Sequence, residues 1–190
     1  MVTISNDVTN EIVIKNSRFI CYLFNVDNLN DVNDNLDDLR KKYKDATHIC
    51  YAYVVNGKEK YSDDGEPGGT AGSPIMDVLK KNDITNCLAV VVRYFGGTKL
   101  GAGGLVRAYS KSTREALKFT NLKEYYLFNY YEVIASYDDL KLLNTLCIGL
   151  DVIGKSFNQN VVYEIRVNSD EDNISKIFSS TDIIVRKLKK

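Results

Sequence analysis

Residues 86–119 read NCLAVVVRYFGGTKLGAGGLVRAYSKSTREALKF, and this stretch decides the architecture of the amino-terminal part of the chain. Its first ten residues, Asn86–Phe95, form a nearly unbroken run of strand-forming apolar side chains, which predicts a strand covered on both faces at the centre of a sheet. Its last part predicts a helix over Gly103–Phe119. The turn between them carries Gly96, Gly97, Gly101, Gly103 and Gly104. A strand that brings Arg93 to its end, followed by a glycine-rich turn into a helix, is an anion-binding geometry. The first amides of a helix lack acceptors, and its dipole puts partial positive charge there. Arg93, Lys99 and Arg107 supply the matching cations. Neither a Rossmann G-x-G-x-x-G nor a Walker loop is present, since Lys99 precedes the last glycines and no Gly-Lys-Ser/Thr occurs. Glycines in such a turn also serve close strand–helix packing.

Upstream lies a second glycine-rich loop, YSDDGEPGGTAGSPI, residues 61–75. Nine of the chain's 12 glycines and both prolines fall between Gly65 and Gly104, so special backbone geometry is concentrated in these two loops. The first loop sets Asp63, Asp64 and Glu66 beside Gly65, Gly69 and Thr70, where backbone amides can approach a ligand. Hard cations take oxygen ligands, so the three carboxylates are a candidate Mg²⁺ site. The alternative is that Asp and Gly build tight turns and Ser73-Pro74 opens a helix over Ser73–Lys81. His48, the only histidine, is a candidate acid or base at the start of a strand, or a structural ring bonded at the strand end. No nucleophile has a base adjacent in sequence, so no complete catalytic constellation is visible.

Outside the loops the periodicity predicts strands at Glu11–Lys15, Ser17–Val26 and His48–Asn56, and a helix at Asn28–Lys44 whose Leu29, Val32, Leu36 and Leu39 share one face. Beyond Thr120 the pattern becomes strand Tyr125–Tyr137, helix Asp138–Leu150, strands Val152–Phe157 and Val161–Asn168, helix Glu171–Ser179 and strand Ile183–Lys187. That order, βαββαβ, is ferredoxin-like, with Asp138 and Asp170 as expected N-caps. The expected fold class is α+β in two domains, 1–120 and 121–190. Tyr125, Tyr126, Tyr130 and Tyr131 fill a sheet face or domain interface, or stack on bases; the terminal Arg186–Lys190 reads as a solvated end or a phosphate contact.

The 25 basic and 25 acidic side chains cancel, which excludes a global field steering the molecule to nucleic acid; any such binding uses a local patch. The four cysteines, widely spaced among apolar neighbours, suit buried free thiols in a reducing compartment. No apolar run is long enough for a membrane helix, and the amino terminus lacks a signal pattern, so the expectation is a cytoplasmic protein with no membrane partner.

At its two glycine-rich loops the sequence resembles the YigZ/IMPACT family, whose pattern SDDGEP-x-GTAG-x-P is met by Ser62–Pro74, and whose VVRY-aromatic-GG-x-x-LG-x-GGL-x-x-AY is met by Val91–Tyr109. Lys15–Phe19 (KNSRF) and His48–Ala52 (HICYA) match the family's landmarks in order, so the resemblance covers about residues 10 to 120. It implies a ribosomal-protein-S5-domain-2-like fold for the first domain, and a second domain similar to the C-terminal domain of elongation factor G. It also implies a role tied to translation: an RNA or ribosome-associated binding module, with Arg93, Lys99 and Arg107 on phosphate and Asp63, Asp64 and Glu66 organising the loop. Two alternatives stand beside it. One is a Mg²⁺-dependent enzyme acting on a phosphorylated small molecule; the other is a protein-interaction adaptor in translational regulation.

Overall fold

The structure, a computed structural model, describes residues 1–188; the last two residues of the basic terminus lie outside the described residues. The chain divides into two compact units, Met1–Tyr125 and the residues from Tyr126 onward, both mixing sheet and helix as the α+β expectation requires.

In the first unit, strands β1 (Val2–Ile4), β2 (Val8–Ile14) and β3 (Ser17–Asn25) precede helix α1 (Leu29–Lys42). Strands β4 (His48–Val55) and β5 (Lys58–Ser62), helix α2 (Gly72–Lys81), strand β6 (Cys87–Tyr94), helix α3 (Ala102–Leu117) and strand β7 (Leu122–Glu124) follow. Five strands form an antiparallel sheet in the order β2-β3-β6-β4-β5. The apolar run of β6 is explained by this position, since a strand paired on both edges and covered on both faces has no wet side. On one face Ile20, Tyr22, Leu88, Val90 and Val92 meet Val32, Leu36 and Leu39 of α1. On the other, Cys21, Cys50, Ala89 and Val91 meet α2 and α3 through Ile75, Leu79, Leu105 and Tyr109. Each fully buried Leu or Ile contributes about 1.5–3 kcal/mol, so these two layers hold the sheet and both glycine-rich loops in place.

Helix α1 is fixed at its start by Asn28, whose side chain accepts from the amides of Asn30 and Asp31 while Asp31 reaches back to Asn28. Two hairpins turn on two residues of positive φ, Lys15-Asn16 and Asn56-Gly57, the geometry that matches strand twist. Strands β1, β5 and β7 show no apolar periodicity: two are three residues long and β5, KEKYS, is an exposed, charged edge. Strand β7 pairs with β1, so Leu122–Glu124, assigned from sequence to the second domain, lies in the first unit.

The second unit runs β8 (Phe128–Ala135), α4 (Leu140–Leu146), β9 (Asp151–Phe157), β10 (Val161–Asn168), α5 (Ile174–Ile177) and β11 (Ile184–Leu188), with the antiparallel order β11-β8-β10-β9. Inward residues alternate along β10, where Val161, Tyr163 and Ile165 pack on Leu143, Ile174 and Phe178. The helices are shorter than the sequence suggests. Helix α4 starts after Asp139, whose amide is bonded to Ser136 Oγ, so Asp138 is not its cap; Cys147 ends the helix and Gly149 follows it at φ +84°. Helix α5 is a single turn because Asp170 sits in a separate 3-10 turn, Ser169–Glu171, and Asp172 is the carboxylate that reaches the Ile174 amide. Asp172 also accepts from Tyr131 and Asn129, tying α5 to β8. Among the described residues no helix is long and apolar enough to cross a membrane.

Candidate functional site

The two glycine-rich loops open the two helices that lie on the same face of the sheet, and they treat those helix starts differently. In the first loop Asp63 Oδ2 accepts from the Gly69 amide at 2.8 Å, and Oδ1 accepts from the amides of Ala71 at 2.9 Å and Gly72 at 2.8 Å. The amino end of α2 is thereby satisfied from within the chain. Burial pushes the Asp63 carboxyl up, yet three backbone amides together hold it below the usual carboxylate range. Thr70 Oγ1 donates to the Pro67 carbonyl at 2.6 Å, closing the loop on itself.

Asp64, at φ +43°, accepts from the Ile49 amide through Oδ2 at 2.6 Å, and its carbonyl oxygen lies 2.7 Å from His48 Nδ1. A carbonyl only accepts, so the neutral ring carries its proton on Nδ1 and leaves Nε2 as an acceptor. Gly65, at φ +83°, permits this approach. The group that orients the His48 ring is therefore a backbone carbonyl 16 residues away.

Glu66 is buried, and its Oε1 accepts from both Arg93 Nη1 and Tyr109 Oη, the latter at 2.7 Å. Its Oε2 stands 3.9 Å from His48 Nε2. Arg93, only 5% exposed, lies over the rings of Phe19 and Phe95, and its buried Nε has no hydrogen-bond partner among the described residues. Burial raises the Tyr109 hydroxyl and pushes the Cys50 thiol up to about 12, so Cys50, 3.4 Å from that hydroxyl and 3.0 Å from the Asp63 carbonyl, is no nucleophile near neutral pH.

The three carboxylates thus have three separate commitments and do not converge. The expected Mg²⁺ site at Asp63, Asp64 and Glu66 is not formed: Asp63 is taken by amides, Asp64 by β4 and Glu66 by Arg93. Among the described residues no group of three His, Cys, Asp or Glu is placed to hold an ion.

The second loop leaves its helix start open. Gly101, at φ +71°, precedes α3, the Leu105 amide closes the helical ladder onto the Gly101 carbonyl, and among the described residues no side chain caps the preceding amides of Ala102, Gly103 and Gly104. Gly97 also needs its positive φ, whereas Gly96 serves packing: an added Cβ would stand 2.0 Å from the Asn16 carbonyl carbon, and its amide bonds Ser17 Oγ. A cavity of about 370 Å³ lies between the loops, with His48, Glu66, Arg93 and Lys99 as its ionisable lining and Phe95 and Leu105 among its apolar walls.

Not every expected site residue enters this cavity. Arg107 and Gly104 line a separate hollow of about 200 Å³ with Lys15 and Lys111. Arg107, Lys111 and Arg114 are exposed on one stripe of α3, at steps of four and three, and among the described residues none of them is in an ion pair; Lys118 continues the stripe but is paired with Glu115. Sequence reasoning missed Lys15, Lys111 and Arg114, which the turn at Lys15-Asn16 and the helix period bring together, and Tyr109, whose inward position follows from the stripe Leu105, Ala108, Tyr109, Ser112.

Residues 15–117 match the family model described as the Impact N-terminal domain. The chain is 40% identical over 176 residues to the IMPACT family member YvyE of Bacillus subtilis, covering 90% of this chain and 81% of that protein. It is 41% identical over 110 residues to the IMPACT family member YigZ of Escherichia coli, covering 55% of this chain and 54% of that one. A crystal structure described as that of a hypothetical protein aligns over 100% of this chain and 97% of its own, at a TM-score of 0.69 and 27% identity. With the family model over more than half its length and a relative matched over most of both sequences, this chain belongs to the IMPACT family.

Proposed function

We propose that this chain is a translation-associated module that binds RNA, free or in a ribosomal particle, through the outer face of α3. The observation that carries the reading is the cationic stripe Lys15, Arg107, Lys111 and Arg114 on a molecule whose net charge is zero. A rigid helix that spaces cations along one face meets successive phosphates without local unfolding, and such contacts supply affinity without reading sequence. The resemblance described above points the same way, towards translation. In this reading Arg93 holds the loop against Glu66, and the phosphate contacts pass to the α3 face.

The same reading takes the first unit as ribosomal-protein-S5-domain-2-like and the second as ferredoxin-like, similar to the C-terminal domain of elongation factor G. The order β11-β8-β10-β9 with both helices on one side supports the second assignment. The Mg²⁺-dependent enzyme loses its main support with the separated carboxylates. A filter-binding titration with single-stranded RNA across salt tests the proposal. Three or four phosphate contacts predict a slope of log affinity against log salt of about −2 to −3. Absent or salt-independent binding contradicts it.

A further inference from the structure

We infer that the hollow lined by Lys15, Arg107 and Lys111 receives the terminal phosphate of an RNA strand, so that this face prefers RNA ending in a phosphate monoester over the same RNA ending in hydroxyls. A preference of this kind presupposes the RNA binding proposed for the outer face of α3, and names the part of the strand that the hollow takes.

The hollow joins two elements. Arg107 and Lys111 stand one turn apart on α3, and Lys15 comes from the turn between β2 and β3. That turn is held in place: Lys15 and Asn16 have φ of +46° and +64°, the Asn16 backbone presses on Gly96, and Ser17 Oγ accepts from the Gly96 amide. The backbone carrying all three cations is thus set before a ligand arrives, and only side-chain stems remain to be ordered. Among the described residues none of the three is in an ion pair, and no carboxylate lines the hollow. Glu115, one turn beyond Lys111, is bonded to Lys118 and lies outside the lining. Like charges one turn apart repel, and an anion in the hollow relieves that repulsion for Arg107, Lys111 and Lys15 together.

Phosphate chemistry selects the end of the strand. An internal phosphate is a diester with a single negative charge and two free oxygens. A terminal monoester carries about −1.5 to −2 at neutral pH and has three acceptor oxygens. Cations converging from two elements can each meet one of those oxygens, and a cleft lined by one sign of charge concentrates the more highly charged group. The volume, about 200 Å³, falls below the roughly 300–1,000 Å³ of pockets that enclose a whole small ligand, so it suits one phosphate rather than a nucleotide. Ile14, Leu100 and Ala108 complete the lining with side chains that offer a base edge no hydrogen bond. The rest of the strand then follows the stripe towards Arg114, which lies outside the hollow.

The test is a fluorescence-anisotropy titration of the full chain, at fixed salt, with an internally labelled single-stranded RNA phosphorylated at its 5′ end, at its 3′ end or at neither. At least one phosphorylated strand is expected to bind about tenfold tighter than the hydroxyl-ended strand, as one further charge-assisted contact provides. Lys15→Gln brings that ratio close to one. Arg114→Gln weakens all three strands and keeps the ratio, because Arg114 serves the stripe and not the hollow. Both side chains are exposed, so both variants keep the fold. Equal affinity for the three wild-type titrations, or a ratio unaltered by Lys15→Gln, overturns the end preference and leaves RNA binding to α3 standing; binding of none of the strands overturns both. Adenosine 5′-monophosphate carries the same monoester without a strand. If it binds as tightly as the phosphorylated RNA, the hollow takes a free nucleotide and the assignment to RNA ends is overturned.

Discussion

Removing the Glu66 carboxylate would leave the Arg93 guanidinium buried without its counter-charge, and would deprive the Tyr109 hydroxyl of its acceptor. Breaking one side of a buried, hydrogen-bonded pair costs about 3–5 kcal/mol, so Glu66→Ala should lower the denaturant midpoint by that equivalent. A loss below about 1 kcal/mol would mean the pair is not the anchor of the loop. Asp63 makes a separate claim through pH. Its carboxyl is held below its ordinary value of 3.8 in the folded chain, because three amides outweigh the opposing effect of burial. A depressed folded value means that its stabilisation is complete above about pH 4, and is lost as pH falls through the folded value. Asp63→Asn should therefore cost about 1–2 kcal/mol near neutrality and flatten the acid limb of a stability–pH profile; an unchanged limb would remove Asp63 as the cap of α2.

At the scale of elements, the glycine-rich turn does two jobs that its composition alone does not separate. Gly101 frees the start of α3, but Gly96 is pressed against the turn at Lys15-Asn16. Gly96→Ala should cost about 1–3 kcal/mol or more, since the backbone of the Lys15-Asn16 turn must move away from the loop after β6; circular dichroism melts would show it, and a neutral result would contradict the close packing. The long elements were legible because their patterns are strong: β6 as a central strand, α1 by its single apolar stripe, β10 by clean alternation. Short elements were not. Strand β5 has no hydrophobic face to betray it, although Asn56-Gly57 before it is a strong local hairpin signal. Helices α4 and α5 shrank because Gly149 and Asp172 act through backbone geometry and a contact to β8, which periodicity does not encode.

Over the whole molecule, balanced charge made a local basic patch the only route to nucleic acid, and that much follows from composition. Which cations form it does not. Arg93 and Glu66 are 27 residues apart in sequence and meet only through the packing of β6 against the first loop, so an arginine that reads as a phosphate contact is instead neutralised and buried. Conversely, Lys15 joins Arg107 and Lys111 only because β2 lies beside α3. The candidate site of the sequence therefore resolves into two: an inner cavity holding His48, Glu66, Arg93 and Lys99, and an outer face holding Arg107.

The claim that the outer face of α3 binds RNA is tested most directly by comparing salt titrations of the wild-type chain and an Arg107→Ala, Lys111→Ala variant on the same single-stranded RNA. Both side chains are exposed, so the variant should melt within about 0.5 kcal/mol of the wild type. Loss of two phosphate contacts predicts weaker binding and a log–log salt slope shallower by about 1.4. Equal affinity and an equal slope in the two proteins would contradict the account.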